Sequence, residues 1–155
     1  MSMKLTHYIR SDCFIADLPE KTREDALRRI VHAVAEKGYI RDEQAVFAKL
    51  MERENIQSTA VGNGIAIPHC FTDEVPDLII TLARSRTGLE FDSFDGKPTQ
   101  VVFLLMGNRK EHSLHLKALA RIARLIKSTS FIERIVASST VEDMVRAFEQ
   151  EEGKI

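Results

Sequence analysis

The chain has 155 residues, 44% hydrophobic and 29% charged, with a formal charge of −1 at pH 7. Its 22 Lys and Arg almost cancel its 23 Asp and Glu, so no general attraction to nucleic acid or to an anionic membrane surface is expected. The longest apolar runs, such as Val101 to Met106, fall far short of a membrane span, and the first residues hold no signal-peptide core. Cys13 and Cys70 show neither CxxC spacing nor a disulfide framework. One domain over residues 1–155, in a reducing cytoplasm, is the expectation.

Helical signals open the chain. Thr22 followed by Asp25 resembles a capping box, and Leu27, Ile30, Val31 and Val34 recur at helical spacing until Gly38 stops the run. Asp42 caps a second expected helix through Glu54, with Val46, Phe47, Leu50 and Met51 inward. Strand signals follow. "GIAIP" (64–68), "LIITLARS" (78–85) and "TQVVFLLM" (99–106) are β-rich and bounded by Gly, Pro or Asp, while "CFIADL" around Ile15 carries a fainter one. Residues 78–83 and 101–106 are apolar at successive positions, which places those strands centrally. A third helix is expected from about Glu111 to Lys127 with Leu119, Ile122 and Ile126 aligned. Two short helices then span roughly Ser130 to Ser138 and Val141 to Gln150, the last behind Thr140 as N-cap. This order predicts an α/β domain with a mixed sheet sandwiched between helical layers.

The stretch "STAVGNGIAIPHC" (58–70) concentrates unusual chemistry. Gly62 and Gly64 permit positive φ and close approach of backbone to a ligand. Pro68 stiffens the approach to His69, and biases Ile67 to an extended conformation. A histidine with a pKa of ~6.5 keeps a large neutral fraction at pH 7 and can act as a nucleophile. Arg53 precedes this stretch, with a planar fork suited to phosphoryl oxygens. The hydroxyls of Ser58 and Thr59 and the amides of 62–64 are further donors. Each feature also has an ordinary reading: a turn that ends in histidine, polar loop residues, a helix-terminal cation meeting the dipole. His115 lies four residues before Leu119 and seven before Ile122, on the apolar stripe of its helix and in its first turn. That position suits a buried core histidine, and equally a group near a bound anion. His112 is expected as its solvent-side neighbour.

"RENIQSTAVGNGIAIPHC" (53–70) resembles the active-site motif of the type-2 IIA domains of the bacterial phosphoenolpyruvate-dependent sugar phosphotransferase system, which includes mannitol, fructose and nitrogen-regulatory members. "TGLEFDSFDGKPTQVVFLLM" (87–106), "HLKALARIARL" (115–125) and "KTREDALRRIVHAVAEKG" (21–38) resemble further segments of that family, so the likeness covers essentially the whole chain. Ala60 departs from the pattern, where Gly is commoner. The resemblance implies that His69 is phosphorylated, commonly on its outer ring nitrogen. It also implies that His115 is the second active-site histidine, Arg53 the paired cation, and Ser58 and Thr59 a hydroxyl pair near the phosphoryl group.

The phosphoryl donor implied is an HPr-like phosphocarrier protein or its nitrogen-branch relative. The recipient is either a IIB domain or a regulated target protein, and neither cofactor nor metal is required. Ile65, Ile67 and Phe71 are candidates for an apolar docking rim, and equally for core. "GIAIPHC" and the size of the chain are closer to the nitrogen-regulatory branch than to the sugar-transport branch. A zinc site using His69, Cys70 and His115 is disfavoured, because adjacent residues of an extended segment point to opposite faces. A phosphate-independent binding module is the remaining alternative.

Overall fold

The computed structural model describes residues 3–155. Helix α1 (Arg23–Glu36) begins where Thr22 accepts the Asp25 amide, and α2 (Glu43–Ile56) where Asp42 accepts the Ala45 amide. Strands β1 (Ala60–Gly62), β2 (Ile65–Ala66), β3 (His69–Phe71), β4 (Leu78–Leu89) and β5 (Thr99–Gly107) come next. Helices α3 (His112–Ser128), α4 (Phe131–Ala137) and α5 (Val141–Glu152) complete the order, and the Thr140 hydroxyl caps α5 by accepting the Asp143 amide.

β5 is the hub of a mixed sheet. It pairs antiparallel with β4 on one side and parallel with both β2 and β3 on the other. Ile65 stands opposite Val101 and His69 opposite Leu105, so β2 and β3 keep one register along β5. The break between them falls at Ile67 and Pro68. Proline cannot supply the next ladder N–H, although its carbonyl still accepts from Leu105. The outer side of β4 is met by bridges from Ile9 and Ile15, so "CFIADL" touches the sheet without extending as a strand.

Alternation along β4 and β5 sorts the core into two. Ile79, Ala83, Val102, Leu104 and Met106 pack with Leu27, Ile30, Val34 and Leu50 of α1 and α2. Leu78, Ile80, Leu82, Val101, Phe103 and Leu105 pack with Ala118, Ile122 and Leu125 of α3 and with α4 and α5. Phe103, Phe131 and Phe148 meet there with ring centroids 5.2–6.2 Å apart. Full burial of each such ring contributes roughly 1.5–3 kcal/mol. The mixed sheet between helical layers is therefore as the sequence predicts.

Two details differ from expectation. The strand expected at 64–68 keeps only Ile65 and Ala66, and the chain resumes pairing at His69, because Pro68 interrupts the ladder. In α3 the inward residues are His115, Ala118, Ile122 and Leu125, with Leu119 and Ile126 at the flank. Ala118 and His115, rather than Leu119 and Ile126, therefore share the inward face with Ile122 and Leu125.

Candidate functional site

His69 sits on β3, at the side of the sheet left open beyond β5. Its register partner Leu105 belongs to the α3 face, so His69 and Phe71 point toward α3, while Cys70 points to the α1–α2 core. Burial pushes the Cys70 thiol up to about 12, with Lys49 opposing. Three adjacent residues are thus divided between two environments by strand alternation alone.

The half-buried His69 ring is held from within its own segment. Nδ1 lies 2.8 Å from the carbonyl oxygen of Ile67. A carbonyl only accepts, so Nδ1 carries the proton and the neutral ring keeps its lone pair on Nε2. This supplies the tautomer-setting acceptor that the sequence does not reveal.

His115, only 2% exposed, faces His69 across 5.5 Å between ring centroids. Phe71 packs on the His115 ring at 4.5 Å and on the exposed His112 ring at 5.2 Å, forming a shelf between strand and helix. Neither nitrogen of His115 has a hydrogen-bond partner among the described residues. Its pKa is lowered to about 4, first by burial and then by His69 and His112. At neutral pH it is an uncharged imidazole with unused hydrogen-bonding capacity. Its Nδ1 would lie less than 3.0 Å from a β-carbon on Gly107, so glycine at the end of β5 makes room for this ring in its present place.

An open cleft of about 390 Å³ runs beside β3. Its walls include His69, Cys70, Phe71 and Ile56, together with Lys49, Arg53 and Arg109 as cations and Glu52 as the one carboxylate. Arg53 reaches it from the last turn of α2, where Nη1 also donates to the Gln57 carbonyl at 2.8 Å. The ordinary helix-terminal role and a place in the cleft are therefore filled by one side chain. Lys49 lies one turn before Arg53 on the same helix face, a spacing legible in the sequence but not singled out there. Arg109 enters from the turn preceding α3, for which local spacing offers no signal.

Ser58, Thr59, Gly62 and Gly64 are not among the residues lining the cleft. The Ser58 hydroxyl donates to Phe91 O at 2.7 Å and accepts from Ala60 N. Thr59 gives its amide and hydroxyl to the buried Glu54 carboxylate. Gly62 ends β1, and Asn63 (φ 57°) and Gly64 (φ 80°) form the two-residue turn into β2. Positive φ at both central positions is the type I′ geometry that suits a twisted hairpin. Asp95 clasps this turn by accepting the Asn63 amide, and the Asn63, Ser93 and Lys97 hydrogen bonds hold its carboxyl down to about 2. Of the expected rim residues, Phe71 borders the cleft, Ile65 is buried toward α3 and Ile67 is half-buried. Among the described residues, no three His, Cys, Asp or Glu side chains converge to hold a metal ion. None of the described helices is long and apolar enough to cross a membrane.

Residues 7–151 match the family model described as "Phosphoenolpyruvate-dependent sugar phosphotransferase system, EIIA 2", and the chain belongs to that family of IIA-type phosphocarriers. It is 35% identical over 136 residues to a nitrogen regulatory protein of Bradyrhizobium diazoefficiens, covering 88% of each chain. It is 27% identical over 148 residues to the fructose-specific EIIABC component of Bacillus subtilis, covering 96% of this chain but only 23% of that protein. The nitrogen regulatory protein IIA-Ntr of Neisseria meningitidis shares the fold, with a TM-score of 0.83 at 23% identity over 93% of this chain and 98% of that one.

Proposed function

We propose that residues 1–155 form one type-2 IIA unit that takes a phosphoryl group onto Nε2 of His69 from the phosphohistidine of an HPr-like carrier. The observation that carries this reading is the Nδ1–H hydrogen bond to Ile67 O, which leaves the Nε2 lone pair for attack beside a cationic cleft. As the new N–P bond forms, the donor's N–P bond breaks and its electron pair returns to the donor imidazole. Both rings keep the proton on their other nitrogen, so no proton has to move and the exchange is nearly balanced. Catalysis then rests on in-line positioning and electrostatics. Arg53, with Lys49 and Arg109, meets the charge spread over the phosphoryl oxygens. His115 offers an N–H from a neutral, buried ring with no competing partner.

The chain acts in the cytoplasm as a nitrogen-regulatory-type protein, a reading supported by the 35% identity and near full-length match to a protein of that name. Its phosphorylation state then alters its affinity for a target protein. The match of 96% of the chain to part of a fructose-specific component supports a second reading, delivery of the phosphoryl group to a IIB domain. Intact-mass spectrometry after mixing with phosphoenolpyruvate, Enzyme I and HPr, beside a His69→Ala control, tests the first step. One acid-labile phosphate, lost in the control, is expected. No added mass with active carriers sinks the reading in favour of a phosphate-independent module. Adding a IIB domain to the phosphorylated protein separates the branches, since only a transport subunit passes the phosphate on.

A further inference from the structure

We propose that Glu54 is a positioning residue for His69, acting through three consecutive hydrogen-bonded links that set which imidazole nitrogen faces the cleft. The inference rests on the reading of His69 as the phosphoryl acceptor, but its physical content does not depend on phosphorylation.

The chain of contacts begins in the interior. Glu54, 2% exposed on the inner side of α2, accepts the Thr59 amide on Oε2 at 3.1 Å and the Thr59 hydroxyl on Oε1. Arg23 at the start of α1 stands 3.6 Å from Oε2, keeping the carboxylate paired as well as hydrogen-bonded. Thr59 is buried too, so neither partner has water as an easy substitute. The second link is backbone: Thr59 O accepts the Ile67 amide at 3.0 Å. The third is the Ile67 carbonyl, which accepts His69 Nδ1–H at 2.8 Å.

The location of this chain gives it leverage. Ile67 stands where pairing to β5 lapses between β2 and β3, and its amide turns away from β5 toward Thr59. Here the backbone is fastened through the residue that Glu54 holds. A neutral imidazole has two tautomers of similar intrinsic energy, and a well-aimed carbonyl selects one of them. If that carbonyl swings away, Nδ1–H loses its acceptor. The Nε2–H tautomer then gains population, and it presents no lone pair to an incoming phosphoryl group. Glu54 touches neither His69 nor the cleft, so its effect on chemistry runs wholly through these links.

The test uses the full chain as Glu54→Gln and as Thr59→Val. Gln replaces one of the two acceptor oxygens with an NH2 donor, so the Thr59 amide and hydroxyl no longer each have an oxygen of their own, and Val removes only the hydroxyl while retaining similar shape. Long-range ¹H–¹⁵N spectra of the unphosphorylated proteins near pH 8 report the His69 tautomer directly. The wild type is expected to show mainly Nδ1–H, and both variants a shift toward Nε2–H. In parallel, the maximal rate of transfer from phosphorylated HPr falls roughly 10-fold, with the KM for the carrier unchanged. An unaltered tautomer in a folded variant overturns the proposal, whatever happens to the rate. If Glu54→Gln does not fold, Thr59→Val carries the test alone. Should the wild type accept no phosphate, the phosphocarrier reading fails while the tautomer result still decides the role of Glu54.

Discussion

The imidazoles of His69 and His115 face each other at 5.5 Å between centroids and 57° between planes, although 46 positions separate them in the chain. Their meeting follows from two periodicities. His69 shares the α3-facing side of the sheet with Leu105, and His115 occupies the inward side of α3 with Ala118 and Ile122. The two rings differ in their polar surroundings: His69 has a committed Nδ1 and a free edge, His115 has neither nitrogen engaged.

His115 makes stability pH-dependent in a defined window. Its pKa is lowered to about 4 in the folded chain, against an ordinary ~6.5 in the unfolded one. The unfolded state therefore binds the proton first as pH falls. The contribution is intact above about pH 6.5, and is lost on descending toward 4. Urea unfolding at pH 7.5 and pH 5 should show a loss of roughly 2 kcal/mol in wild type that is missing from His115→Gln. Equal losses in the two proteins would exclude His115 as the source.

Replacing Gly107 by Ala brings a methyl group to less than 3.0 Å from His115 Nδ1, closer than the two can approach without a shift. Overpacking of this kind costs about 1–3 kcal/mol. The expected outcome is lower stability together with slower phosphorylation. In a double-mutant cycle, adding His115→Ala to Gly107→Ala should recover part of the lost stability without restoring the rate. Strict additivity would show that the two residues do not interact.

Arg53 tests the cleft apart from the fold. The side chain is half-buried at the end of α2 and forms one hydrogen bond, to Gln57 O, so Arg53→Ala should change stability by only about 0.5 kcal/mol. Loss of its contribution to the phosphoryl oxygens should slow transfer about 100-fold. Arg53→Lys should recover part of this, because it restores charge without the planar fork. Single-turnover phosphorylation by phosphorylated HPr, with denaturation curves for each variant, separates the two effects.

Gly64 distinguishes a hairpin residue from a ligand-binding one. Its φ of 80° lies in a two-residue turn, and alanine there carries a strain of about 1–2 kcal/mol. Gly64→Ala should lower the unfolding free energy by that amount while His69 remains a competent acceptor. A stable variant that no longer takes phosphate would instead show that the phosphoryl site needs the backbone at Gly64 free of a β-carbon.

Local rules made much of this molecule legible. Thr22, Asp42 and Thr140 cap helices where their spacing predicts, and the apolar run of β5 lies in the middle of the sheet. The run of β4, expected to be central as well, pairs with β5 alone; its outer side is covered by single bridges from Ile9 and Ile15, and the helical layers on both faces let an edge strand be apolar on both. "NG" at 63–64 is also a local signal, for the type I′ hairpin that the structure forms there. The hydroxyls of Ser58 and Thr59 bond to Phe91 and Glu54, which no spacing rule could show. Lys49 was recoverable from its one-turn offset to Arg53. Arg109 was not, because it reaches the cleft only through the packing of the segment before α3.

By itself the sequence determined the helix ends, the alternation of the central strands and the chemical types gathered between Arg53 and His115. These follow from hydrogen-bonding needs and side-chain periods that act over a few residues. Only the tertiary structure decided that Ile67 O accepts the hydrogen bond of His69 Nδ1–H, that Gly107 makes room for the His115 ring, and that Glu54 is tied to His69 through Thr59. Those outcomes depend on where separate elements stop against one another, at distances that no local pattern encodes.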